Sequence, residues 1–171
     1  MKENSNMMIS AAMNTKLNEQ IAAEFAAAHA YLAMACAFDR MALKALAKRF
    51  FQQHDEERGH GMKILHYIHE VGGTVSLDAV AKPKKDYKSV EAIVSTALQN
   101  EIDITEKINE LVTFADSEKD YATRSFLEWF VDEQVEEVST MSDLLNVVKL
   151  AGNNVLQVEA LVRHQMMAEK S

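Results

Sequence analysis

Residues 50–65 read FFQQHDEERGHGMKIL. The stretch has helical composition, with Gly59 and Gly61 set among strong helix formers and no proline. Its apolar face steps by three and four through Phe50, Ile64, Ile68 and Val71, and the same face continues through His54, Glu57 and Gly61. A glutamate therefore stands where the pattern calls for leucine. His60 follows it by three positions and projects from nearly the same side. Glu56 falls at the edge of this face, and Asp55 and Arg58 belong to the wetter sides.

The interruption recurs. A first helix, Met13 to Asp39, has the stripe Leu17, Ile21, Glu24, Ala28, Tyr31, Ala35, Phe38. The second, holding the opening stretch, spans Leu43 to Val71 and is stopped by Gly72 and Gly73. A third begins after Ser89 as N-cap, carries Glu91 in its first turn, and reaches Ala115 with the stripe Val94, Ala97, Glu101, Thr105, Ile108, Leu111. The fourth, Asp120 to Leu150, reads Leu127, Phe130, Gln134, Glu137, Met141, Leu144, Val148. Gly152 and Asn153 separate it from a short amphipathic helix, VLQVEALVRHQMM. Short links join the first helix to the second and the third to the fourth, and a long polar link holding the only proline, Pro83, joins the two pairs. The expected fold is all-α: two antiparallel hairpins forming a four-helix bundle with one long crossover and a short fifth helix.

The four interruptions lie at one level. Glu24 is 15 residues before Asp39 and Glu57 is 14 after Leu43; Glu101 is 15 before Asp116, and Gln134 and Glu137 are 14 and 17 after Asp120. At about 1.5 Å per residue these match to within roughly one turn. Bare carboxylates so close would repel by about 4 kcal/mol per pair at 4 Å and an effective dielectric near 20, with desolvation added. Protons or cations must relieve that. One seam Glu or His alone is ordinarily a core polar group satisfied by hydrogen bonds. Four at one level with a Glu-x-x-His point to metal, and oxygen donors with imidazole suit Fe, Mn or Zn; carboxylates can also bridge two ions about 3.5–4 Å apart.

Composition narrows the class further. The 171 residues suffice for one domain, and the net charge of −8 disfavours nucleic acid or an anionic membrane surface. Cys36 is the only cysteine, which excludes a disulfide framework or thiolate zinc cluster and favours a reducing cytoplasm. We expect Cys36 to be a small buried residue. Residues 1–12 read as a flexible extension rather than a signal peptide, residues 13–171 as the domain, and no stretch as a membrane span.

Four segments, LNEQIAAEFAAAHAYLA (17–33), HDEERGH (54–60), NEIDITEKINEL (100–111) and FLEWFVDEQVEEV (126–138), resemble those of bacterial non-haem ferritins in order and spacing, and the likeness extends over essentially the whole chain after residue 13. The resemblance implies a ferritin-like bundle, the type example of this connectivity. It implies that Glu24, Glu57 and His60 hold one iron and Glu57, Glu101 and Glu137 a second, with Glu57 bridging, Gln134 close by and Tyr31 beside the centre. Glu56, Glu133 and Glu136 resemble the ligands of a third iron site; a solvated acidic face is the plainer account of them. The implied activity is ferroxidase: Fe(II) is oxidised by O2 or H2O2 and stored as Fe(III) mineral in a hollow shell of twenty-four subunits, with the fifth helix at the four-fold contacts. The alternatives are a bacterioferritin-like protein or a di-iron peroxidase or oxidase that stores nothing. A bacterioferritin would carry a second Glu-x-x-His where this chain has Gln134 and Glu137, and a haem-binding methionine where it has Arg58, so no haem is expected. Trp129 reads as packing, and His66, His69 and Glu70 as a solvated face.

Overall fold

The structure, a computed structural model, describes residues 7–168. Within them are five α-helices and no strand: α1 (Ala11–Arg40), α2 (Lys44–Glu70), α3 (Val90–Glu118), α4 (Tyr121–Ala151) and α5 (Val155–Ala168). Helix α1 packs most extensively on α2 and α3 on α4, α1 also meets α3, and α5 lies against α2 and α4. This is the expected bundle of two hairpins.

The helix starts follow the side chains that can cap them. Ser10 Oγ accepts from Met13 N (3.0 Å), Ser89 Oγ from Ala92 N (3.1 Å), and Asp120 Oδ1 from Thr123 N (3.0 Å). Helix α2 differs, because its N-cap, Leu43, has no side-chain oxygen to offer. The cap comes instead from α5: the Glu159 carboxylate, 5% exposed, accepts from Ala45 N (2.6 Å) and Leu46 N (3.1 Å). An anion at the positive end of a helix is favourable, so one side chain both completes α2 and fastens α5 to the bundle. Sequence spacing gave no sign of it, since the two residues are more than a hundred positions apart.

The crossover is a strap over α1. Asn14 and Asn18 hold its start: Asn14 Oδ1 accepts from Thr74 N (2.9 Å), Asn18 Nδ2 donates to Thr74 O (2.9 Å), and Asn18 Oδ1 accepts from Ser76 N (2.7 Å). Near its end Arg40 Nη2 donates to Lys85 O (3.3 Å). Asn14 to Arg40 is about 39 Å of helix, and the eleven steps from Thr74 to Lys85 reach about 36–40 Å when extended, so a strap anchored to both ends of α1 must run in a largely extended form.

Several sequence expectations need correction. The chain is ordered against the bundle before Met13: Met8 N donates to Val71 O (2.8 Å), Ile9 is buried, and α1 begins at Ala11. Residues 1–6 of the expected extension lie outside the described residues. Cys36 is exposed, because it follows Ala35 and so leaves the buried stripe by a full step of helix rotation. The seam uses Gln53, Ile104 and Leu145 rather than His54, Thr105 and Leu144, which are half-buried; a straight helix drifts from a strict seven-residue repeat, and each slip is one residue. His54 Nδ1 lies 2.9 Å from Ala28 O. Helix α1 is also long and apolar enough to cross a membrane by length and composition, with a mean hydropathy of 1.5 over its best window, contrary to the expectation of no such stretch. Half of that window is buried, and its helix contributes Glu24 and Gln20 to the bundle interior.

The apolar core falls into two halves. One gathers Phe38, Leu46, Phe50, Ile93, Val94 and Met141 at the end nearest α5; the other gathers Met13, Leu17, Ile64, Ile68, Ile108 and Phe130 at the opposite end. Between them lies a polar layer. At its margin Gly61 lets α1 and α2 approach, since a Cβ there would meet Phe25 Cε1 at 2.5 Å.

Replacing Glu159 by alanine leaves two α2 amides without their acceptor. We expect Glu159→Ala to cost about 1–2 kcal/mol, read as a lowered thermal midpoint, and to speed protease cleavage within α5. Glu159→Gln, which keeps an acceptor oxygen, should fall between the two.

Candidate metal centre

Each long helix sends one glutamate into the polar layer. Glu24, Glu57 and Glu101 are fully buried, at 0% exposure, and Glu137 and His60 nearly so. One donor atom each from Glu24, Glu57 and His60 lie within 4.8 Å of one another, and so do donors from Glu57, Glu101 and Glu137. The two groups share Glu57. His60 Nδ1 stands 3.6 Å from Glu57 Oε2 and 3.9 Å from Glu137 Oε1.

The hydrogen bonds around this layer are unequal. Gln20 Nε2 donates to Glu24 Oε1 (2.7 Å), the Tyr31 hydroxyl to Glu101 Oε1, and Gln134 Nε2 to Glu137 Oε2 (2.5 Å). The Thr105 hydroxyl orients Gln134, reaching Gln134 Oε1 at 2.9 Å and Glu101 O at 2.7 Å. Glu24 Oε2, Glu101 Oε2 and both oxygens of Glu57 have no partner. Buried oxygens without partners are costly and rare. Those four belong to the very groups that approach one another, so the donor set fits hard divalent cations. Thiolates are missing from it, which agrees with iron, manganese or zinc.

Electrostatics agree with the geometry. Burial raises the Glu24 carboxyl to about 7 and the Glu137 carboxyl to about 9, the latter helped by Glu101, Glu24, Glu56 and Glu133. Burial, then the charges of Glu101, Glu137 and Glu24, holds Glu57 well above the carboxylate range, and burial also raises Glu101. His60 goes the other way: burial, then Lys63, lowers it to about 4. A neutral imidazole among carboxylates is a ready ligand. The ring is fixed edge-on against Trp129 and Phe130, with centroids 5.4 and 6.0 Å away, and Lys63 Nζ sits 4.1 Å over Trp129.

All seven inner positions marked in the sequence, Glu24, Tyr31, Glu57, His60, Glu101, Gln134 and Glu137, thus meet in one layer. The outer three do not close into a comparable group among the described residues. Glu56 is exposed yet acts electrostatically on Glu101 and Glu137; half-buried Glu133 acts on Glu137. Glu136, exposed, lines a cleft between α4 and α5 with Arg49 and Thr140. Sequence reasoning missed Gln20 and Lys63. Gln20 had a signal, its place four residues before Glu24 on one helix, the spacing at which side chains meet.

Four buried carboxylates at mid-bundle, one from each long helix, with a Glu-x-x-His on one of them, make this a helical bundle whose inward-facing side chains could hold metal between the helices. Residues 14–151 match the family of the ferritin-like domain. The chain belongs to the ferritin family. It is 40% identical over 147 residues to the bacterial non-heme ferritin of Staphylococcus aureus strain USA300, covering 86% of this chain and 89% of that one, and equally to that of Staphylococcus epidermidis. Among solved structures it resembles an open-pore ferritin from the hyperthermophilic archaeon Archaeoglobus fulgidus, with a TM-score of 0.89, 37% identity, and coverage of 91% of this chain and 96% of that one. A form of that protein engineered to be closed gives a TM-score of 0.88 at 38% identity, covering 90% and 96%.

These proton affinities set a sign for stability. A carboxyl raised in the folded state contributes stability that is full below its unfolded value near 4.5 and is lost as pH rises through 7 for Glu24 and 9 for Glu137. His60, lowered, loses its contribution only as pH falls from 6.5 toward 4. Between pH 7 and 9 the acids act alone. The metal-free protein should lose about 2 kcal/mol of stability across that window through Glu137, and Glu137→Gln should flatten the slope in denaturant titrations at the two pH values. Binding of Zn(II) at pH 7 should release protons, read by calorimetry in buffers of different ionisation enthalpy.

Proposed function

We propose that this protein stores iron and is a ferroxidase, binding two Fe(II) ions as substrate in the shared carboxylate layer and oxidising them with O2 or H2O2. The observation that carries the reading is the pair of donor groups joined through Glu57, whose two oxygens are buried and partnerless. Four carboxylates and a neutral imidazole bring four negative charges, which two Fe(II) ions balance. The first ion takes Glu24, Glu57 and His60; the second takes Glu57, Glu101 and Glu137. Loading expels the protons that burial keeps on the acids.

Two ions held side by side give two electrons together. With O2 the balance is two Fe(II), one O2 and two protons to two Fe(III) and one H2O2; with H2O2 the same two electrons yield two waters. Pairing the electrons avoids release of superoxide. Tyr31 and Gln134 hold Glu101 and Glu137 in place while the charge on iron changes. Fe(III) then leaves for a mineral, giving up protons as it hydrolyses. Glu56, Glu133 and Glu136 would form a third, weaker iron position only if iron draws them together, since Glu56 and Glu133 lie near the inner acids while Glu136 lines the cleft between α4 and α5.

Storage requires a container, and we infer a shell of twenty-four subunits in the cytoplasm. The shell is supported by family membership and by large apolar side chains left open on the subunit: Leu150 and Leu156 beside the turn into α5, and Val135 and Tyr121 on α4. One domain, from the buried Ile9 through α5, would build each subunit.

Three outcomes test the reading. Glu57→Ala and Glu101→Ala should each abolish rapid Fe(II) oxidation in stopped-flow absorbance with apo helix content unchanged; wild-type rates in either would place the chemistry elsewhere. The purified protein should sediment as a very large spherical particle, whereas a monomer or dimer at micromolar concentration would leave a non-storing di-iron peroxidase or oxidase. Glu133→Ala combined with Glu136→Ala should keep two irons bound while lowering iron per subunit, read by anomalous diffraction from iron-soaked crystals.

A further inference from the structure

The three terminal carboxylates of the layer share one feature. Each gives one oxygen to a protein donor: Glu101 to Tyr31, Glu137 to Gln134, and Glu24 to Gln20. Glu57, common to both groups, gives neither. The layer therefore has one carboxylate with two oxygens free and three with one oxygen engaged. The member of this set outside the reading above is Gln20.

Gln20 is 3% exposed and belongs to the same face of α1 as Glu24, one turn earlier. Its amide nitrogen is 2.7 Å from Glu24 Oε1, while Glu24 Oε2 has no partner. On its other side it walls a small polar cavity between α1 and α3 with Lys16, Glu19, Lys107 and Glu110. Gln20 is thus a buried donor standing between that cavity and the metal layer, its amide directed at one oxygen of one ligand.

We propose that Gln20 is a positioning residue that restricts Glu24 to a single oxygen for the metal held with Glu57 and His60, so that this ion has three protein donors and keeps coordination positions open to water and oxidant. The inference rests on the two-metal reading of the layer. Without Gln20 the freed Glu24 oxygen would be a buried acceptor with no partner, and Glu24 itself is fully buried on the α1 wall and cannot turn to solvent. The ion is then the nearest group able to satisfy it. Glu24 would chelate through both oxygens and close one open position.

The test uses Co(II), which reports coordination number through the intensity of its visible d–d bands, weaker in six-coordination than in four or five. Wild-type protein and Gln20→Met are titrated anaerobically with Co(II) alone, with Gln20→Leu as the second variant should Gln20→Met fold poorly. The expected result is that both proteins take up two Co(II) per subunit, that the bands of one of the two lose intensity in Gln20→Met, and that Fe(II) oxidation slows although metal uptake is retained. Identical cobalt spectra would overturn the proposal. Loss of one Co(II) would also overturn it, by showing that Gln20 keeps Glu24 within reach of the metal rather than limiting its oxygens. Failure of wild type to bind two Co(II) would instead sink the two-metal reading itself, so the two failures are distinct.

Discussion

Everything in the bundle is arranged around a burial that an apolar core would not tolerate unaided. Glu24, Glu57, Glu101 and Glu137 lie in one layer between two hydrophobic halves; burial raises all four carboxyls, and the charges of Glu101, Glu137 and Glu24 raise Glu57 further. A single domain has only about 5–15 kcal/mol of net stability to set against such a layer. The apolar halves carry that load, with Phe38, Phe50 and Ile93 fully buried on one side and Leu17, Ile64 and Ile68 on the other. The protein is thus built as two cores clamped on a polar plane, and strain in that plane is relieved by protons or by divalent cations.

Polar fastenings elsewhere keep the plane in register. Tyr67 and Thr123 join α2 to α4 by a 2.9 Å hydrogen bond, and Ser10 reaches Glu118 across the bundle end at 2.6 Å. Glu159 ties α5 to the first turn of α2. Each joins segments far apart in the chain, so sliding one helix by a turn would break several at once. A metal layer needs this, because a shift of one residue along a helix, about 1.5 Å, would separate donors that must meet around the same ion.

The sequence revealed the fold and the inner acids for one reason: both follow from periodicity. An acid in an apolar stripe is visible without coordinates, and counting from the turns sets its height, which is why Glu24, Glu57, Glu101 and Glu137 were legible together. What periodicity cannot see is a contact fixed by packing between distant segments. Glu159 belongs to a short amphipathic helix whose buried side could not be known before its docking. Cys36 misled because residue type was weighed above stripe position. The one-residue slips at Gln53, Ile104 and Leu145 came from a repeat that real helices follow only approximately. The outer acids were the least legible, since Glu56, Glu133 and Glu136 differ little from any solvated face.

The strap from Thr74 to Lys85 is held at both ends and carries no helix or strand, and this constrains how the chain can vary. One end is stitched to Asn14 and Asn18 and the other to Arg40, so its reach measures the length of α1. A turn added to α1 between those points would lengthen the helix by about 5.4 Å, which an extended strap could follow only by drawing on the reach of its side-chain anchors. Compensating residues would have to enter the strap itself, and the exposed run around Pro83 makes no hydrogen bond to α1 that such an insertion would break among those described for residues 77–84. Insertions and deletions in α1 and in the strap should therefore arise in pairs, in a ratio set by the rise of a helix against the rise of an extended chain.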